Sequence, residues 1–124
     1  MIDDDLGELE AALAFGDTTL IVRSTAATAE VAGGGPLRRG GEWLTLGDEG
    51  AGASHVHLRI ADVRGLRFRA RPGGNAALDV LGPESSVILS VSFRRTNPGR
   101  VETFDAERLA AVTTRFGHLA EVAA

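Results

Sequence analysis

The sequence predicts an α+β fold: a curved antiparallel sheet, or a split-barrel-like sheet, of about seven short strands with an N-terminal and a C-terminal helix. Two observations lead there. Apolar residues recur at helical spacing only near the two ends of the chain, and between those ends short alternating segments follow one another with no helical stretch among them. Glycine, proline and asparagine punctuate the segments as turn formers do. The 124 residues, 44% hydrophobic and 24% charged, read as one domain spanning residues 1–124.

Taken in order, Ile2, Leu6, Leu9 and Leu13 recur at helical spacing and predict a helix over residues 2–15, with Asp3, Asp4 and Asp5 at its positive N-terminal end. Residues 18–24 are rich in Thr, Ile and Val and predict a strand, and residues 27–32 a second, ended by Gly33, Gly34, Gly35 and Pro36. A third strand is expected over residues 42–46, with Trp43 and Thr45 alternating against Leu44 and Leu46; a buried ring is the ordinary place for the single tryptophan. A loop over residues 47–53 leads to a strand over 54–60. After a short connection, Leu66 and Phe68 alternate with Arg67 and Arg69. A turn at 72–75 then precedes a strand over 77–81. The most apolar strand, residues 86–93, carries Val87, Leu89, Val91 and Phe93 on one side and is expected in the centre of a sheet. A closing helix is predicted over 105–122 from the stripe Leu109, Val112, Phe116 and Leu119, with Asp105 as N-cap and a weak point at Gly117.

Composition removes several function classes. With no cysteine the chain has no disulfide, thiolate nucleophile, zinc ribbon or iron-sulfur cluster of its own, which fits a reducing compartment. No apolar run approaches the roughly 20 residues of a membrane helix, so a cytoplasmic location and no membrane insertion are expected. A net charge of −4 and a pI near 5.3 argue against nucleic acid as a partner. There is no Gly-x-Ser-x-Gly elbow, and the glycines at 33–35 lack the Gly-Lys-Ser/Thr ending of a phosphate-binding loop. A non-enzymatic role is therefore expected.

The chemical lead is the run Ser-His-Val-His-Leu-Arg-Ile at 54–60. Successive side chains of a strand point to opposite faces, so His55, His57 and Arg59 share one wall while Val56, Leu58 and Ile60 face a core. At roughly 3.3 Å of rise per residue the two imidazole attachment points lie about 6.5 Å apart, close enough to converge on one ligand. A cupin-like metal set would add a glutamate and a third histidine, which are not where that pattern needs them. Arginines cluster at 59, 64, 67, 69 and 71, with a second basic group at Arg94, Arg95 and Arg100, and their planar forks suit carboxylate or phosphate.

The segment order carries a further signal. Thr-Leu-Ile-Val-Arg-Ser from Thr19, Ala-Glu-Val-Ala-Gly from Ala29, Gly35-Pro36, Trp-Leu-Thr-Leu from Trp43, Ser54-His55-Val56-His57, Leu66-Arg67-Phe68, the apolar strand over 87–93 and the final helix stand in sequence. Over residues 19–119 this resembles the haem-utilisation carrier family of the ChuX/HutX type, distantly HemS-like. The resemblance implies a curved antiparallel sheet, a homodimer, and haem held in a cleft and handed on in the cytoplasm. It implies an iron ligand at His55 or His57, which in this chain without Cys or Tyr, and with Met1 as its single Met, leaves only His118 as a further candidate. Arg59, Arg67 or Arg69 would face the propionates, and Trp43 with Phe68 would form the apolar wall. The alternative is a small dimeric module that has lost haem and takes another anionic small molecule on its arginine-rich sheet face.

Overall fold

Eight strands and two helices succeed one another in the computed structural model, which describes residues 3–48 and 54–120: α1 (Asp3–Ala14), β1 (Thr18–Arg23), β2 (Thr28–Ala32), β3 (Leu37–Gly40), β4 (Trp43–Gly47), β5 (His55–Arg59), β6 (Gly65–Arg69), β7 (Ala77–Leu81), β8 (Val87–Phe93) and α2 (Ala106–Phe116). The α+β class, the antiparallel pairing and the helices at both ends are as expected. The strands, however, form two sheets: five in the order β2-β1-β8-β7-β6 and three in the order β3-β4-β5. As its apolar run predicts, β8 is the central strand of the larger sheet. The eighth strand, β3, has the sequence Leu-Arg-Arg-Gly; one apolar residue after a glycine-proline break gives no alternation to read, and its pairing with β4 supplies the order instead.

Alternation decides what each sheet buries. Leu44 and Leu46 of β4 and Leu58 of β5 face inward from the small sheet, and Leu78, Leu89, Val91 and Phe93 from the large one, into a single apolar cluster. α1 adds Leu9, Ala12 and Leu13, and α2 adds Val112 and Phe116. At its centre the Phe116 ring stacks on Phe93 with centroids 5.4 Å apart, and Phe15 meets both rings at 5.8 and 5.7 Å. Complete burial of one such ring contributes about 1.5–3 kcal/mol. Because both sheets give this core their apolar faces, each turns its polar face outward on its own side of the molecule.

The closing helix is shorter than its stripe suggests. Asp105 caps it as expected, its carboxylate accepting from the Arg108 amide at 3.1 Å, but the α-helix ends at Phe116 and a single 3-10 turn, Gly117–Leu119, follows. Glycine is a poor helix former, and the chain turns there to bring Ala120 alongside Phe68 in a parallel bridge. The predicted first residue of the opening helix, Ile2, the centre of the loop at 49–53 and the predicted helix end at 121–122 lie outside the described residues. Glu8 of α1 and Arg115 of α2 are joined at 2.8 Å. Arg108 donates to the carbonyls of Gly16, Asp17 and Arg94, tying α2 to the start of β1 and the end of β8.

Candidate functional site

The outer face of the small sheet is built by strand register. Pairing of β4 with β5 sets Trp43 opposite Arg59, Thr45 opposite His57 and Gly47 opposite His55, and pairing of β3 with β4 sets Arg38 opposite Thr45. His55, His57, Arg59 and Trp43 thus share one face. The two imidazole centroids are 4.9 Å apart with the rings inclined at 63°. His57 Nδ1 lies 2.9 Å from the hydroxyl of Thr45, a contact that does not use Nε2, and the residue is exposed. The Arg59 guanidinium sits 5.0 Å above the Trp43 ring, a cation-π stack, with Asp62 at 4.0 Å from its Nε. Arg38 donates to the Gly47 carbonyl at 3.1 Å.

Trp43 corrects the expectation of a buried ring, being 38% exposed. Parity is the cause: Leu44 and Leu46 take the two inward positions of β4, so Trp43 must face out. Phe68 does not join it as an apolar wall. It is buried, stacked on Phe116 at 6.5 Å. His118 is exposed on the turn after α2, 3.7 Å from Glu8, and is not on the strand of the other two histidines. Among the described residues, no three His, Asp or Glu side chains are grouped to hold a metal ion.

Arg67 and Arg69 lie on the other sheet. Their strand β6 pairs with β7, setting Arg67 opposite Asp79, and both guanidiniums converge on that carboxylate. Arg69 grips it with Nε at 3.0 Å and Nη2 at 3.2 Å, Arg67 reaches it at 3.5 Å, and the Ser90 hydroxyl donates to it at 2.7 Å. Arg23 in turn donates to Ser90 Oγ at 2.9 Å. Burial pushes the Asp79 carboxyl up, but the bonds from Arg69 and Ser90, and the charges of Arg69 and Arg67, outweigh it and hold the group below the usual carboxylate range. Asp79 escapes sequence reasoning because a single acid in an apolar strand has no local partner. Its signal is the parity of Ala77, Asp79 and Leu81 against two arginines on the preceding strand.

Beside this network a cleft of about 590 Å³ opens over the polar face of the large sheet, walled by Arg23, Glu30, Arg69, Arg94, Arg95 and Arg100. A smaller, mostly apolar cleft of about 300 Å³ lies between the 70–76 turn and Leu109. Neither is lined by a histidine. The second basic group visible in the sequence, Arg94, Arg95 and Arg100, is brought together with Arg23 and Arg69, whereas the histidine strand is not.

No family model matches the sequence, and neither does any curated protein. Among solved structures, the crystal structure of ChuX matches with a TM-score of 0.67 at 19% sequence identity, over 94% of this chain and 72% of that one. The segment order that resembles the ChuX/HutX type in sequence is thus accompanied by the corresponding arrangement in space: the chain has the α+β fold of ChuX.

Proposed function

We propose that this chain is a non-enzymatic haem-binding protein that receives haem as cargo and hands it on. The observation carrying the reading is the histidine pair: two imidazoles 4.9 Å apart beside an exposed Trp43 and Arg59. The fold likeness to ChuX supports it, since the sequence resembles the haem-utilisation carriers. Haem asks for an iron ligand, an apolar surface and cations for two propionates. On this face His57 keeps Nε2 for iron with Nδ1 held by Thr45, and His55 stands beside it as the second candidate. Trp43 offers the apolar surface, and Arg59 and Arg38 the cations. Arg67 and Arg69, committed to Asp79, take no part. An open face suits a carrier, which must release what it takes up. The proposal is of a homodimer acting in the cytoplasm, and a chain without cysteine agrees with a reducing compartment.

Hemin titrated into the purified protein is expected to give a saturable Soret band. In the double variant His55→Ala, His57→Ala that band is lost while the far-ultraviolet circular dichroism stays unchanged. A band of full amplitude in the double variant overturns the ligation.

A further inference from the structure

The cleft on the large sheet has no part in the haem reading, and its chemistry is of another kind. Its floor includes Thr19 and Ser92, which face each other across β1 and β8, with Ile21 next on the same face of β1. Its walls are guanidiniums from three stretches of chain, β1, β6 and the segment after β8, with Asn75, Asn97 and Thr103 as further hydrogen-bonding groups. The lining contains no aromatic ring, so nothing there stacks a base or a macrocycle.

Charge within the cleft is unbalanced. Arg69 is neutralised by Asp79, and Arg95 by Asp17 and Asp105 at 2.6 and 3.3 Å. Arg94 has a looser contact with Asp17 at 3.7 Å, between exposed groups that water screens. Arg23 gives its Nε to a neutral hydroxyl, and among the described residues neither Arg23 nor Arg100 meets a carboxylate. Glu30, opposite Ile21 on β2, is the one acid in the lining. The cations with no carboxylate, or only the loose Asp17 contact of Arg94, stand at opposite ends. Arg23 closes β1, whereas Arg94 and Arg100 follow β8 near the Thr19 end, four residues or about 13 Å along the strand at its usual rise.

We propose that this cleft binds an elongated small-molecule polyanion, with phosphate or carboxylate groups held by Arg23 at one end and by Arg94 and Arg100 at the other. Arginine forks read either oxyanion through paired N–H bonds, and a cleft of this size is in the range that encloses a small molecule. Binding is salt-sensitive because the walls are open to water. The site is separate from the histidine face, so it stands or falls independently of haem.

Calorimetric titration at low salt tests it, with inorganic tripolyphosphate and the straight-chain dicarboxylate suberate as two arms and orthophosphate as the short control. One site per chain is expected, at least tenfold tighter for tripolyphosphate or suberate than for orthophosphate; whichever long anion binds more tightly identifies the phosphate or the carboxylate source. Arg100→Ala, a change at an exposed residue that leaves the core untouched, weakens binding at least fivefold. Glu30→Gln tightens it, and Arg39→Ala, which removes the same charge from the other sheet, leaves it as it was. No saturable heat with either long anion overturns the proposal, as does an Arg100→Ala loss no greater than that of Arg39→Ala.

Discussion

A carboxylate that is 1% exposed and gripped by two arginines and a serine makes Asp79 the most consequential polar residue of the large sheet. Replacing it by Asn leaves two guanidiniums without their counter-charge and is expected to cost about 2–3 kcal/mol, less than the roughly 3–5 kcal/mol of a fully buried pair because water still reaches the arginines. Urea unfolding of Asp79→Asn measures this. The sign with pH follows from the lowered folded value: the stabilisation is present above the unfolded carboxylate value near about 3.9 and is lost as pH falls through the lower folded one. The stability gap between the parent protein and Asp79→Asn should therefore be constant from neutral pH down to roughly pH 4 and close below it. At this scale the sequence was legible wherever neighbours along the chain sufficed. The shared face of His55, His57 and Arg59 follows from parity alone. The partners of Arg67 and Arg69 do not, because ten or more residues separate each from Asp79 and only the hairpin brings them together.

Among the elements, the β4–β5 ribbon depends on one backbone position. Gly47 has φ of +107°, and a Cβ there would lie 2.6 Å from the Ser54 carbonyl oxygen and 3.1 Å from the His55 Cα. Only glycine lets the strands approach so closely at the end that carries His55. Gly47→Ala is expected to destabilise by about 1–3 kcal/mol, seen as a lowered melting temperature, and to move the His55 resonances more than those of Arg59 at the far end of the strand. For α2, Asp105→Ala removes the cap on the Arg108 amide and is expected to cost about 1 kcal/mol in chemical unfolding. That cap was legible because its partner is three residues away. β3 was not, since Leu-Arg-Arg-Gly has no pattern of its own, and with it Arg38 was missed as a member of the histidine face. Trp43 turns outward for a related reason: the preference of its residue type for burial gives way to the parity set by Leu44 and Leu46.

For the molecule as a whole, two sheets and two helices share one apolar cluster, in which Phe116 joins α2 to the large sheet and to the residue after α1. Its ring contacts Phe15 after α1, Phe93 on β8 and Phe68 on β6. Phe116→Ala is expected to cost about 3–5 kcal/mol and, in a domain whose net stability is of that order, to unfold a substantial fraction of it at 37 °C. Thermal unfolding followed by circular dichroism measures the loss. The α+β class could be seen in advance because helical spacing is confined to the two ends of the chain. The division into two sheets could not, since it depends on which strands find one another across long stretches of sequence.

The three bonds of Arg108 carry a consequence in time. The guanidinium joins carbonyls at positions 16, 17 and 94, so two of its bonds span more than 90 residues, and Phe116 closes the core from the same helix. A nascent chain on the ribosome therefore lacks both until α2 has emerged, whatever strands it has already paired. A chain stopped after Thr103 would leave Phe15 and Phe93 without the ring that covers them. Closure of this core therefore waits for α2, and until that helix emerges the Phe15 and Phe93 rings stay open to other proteins in the cell.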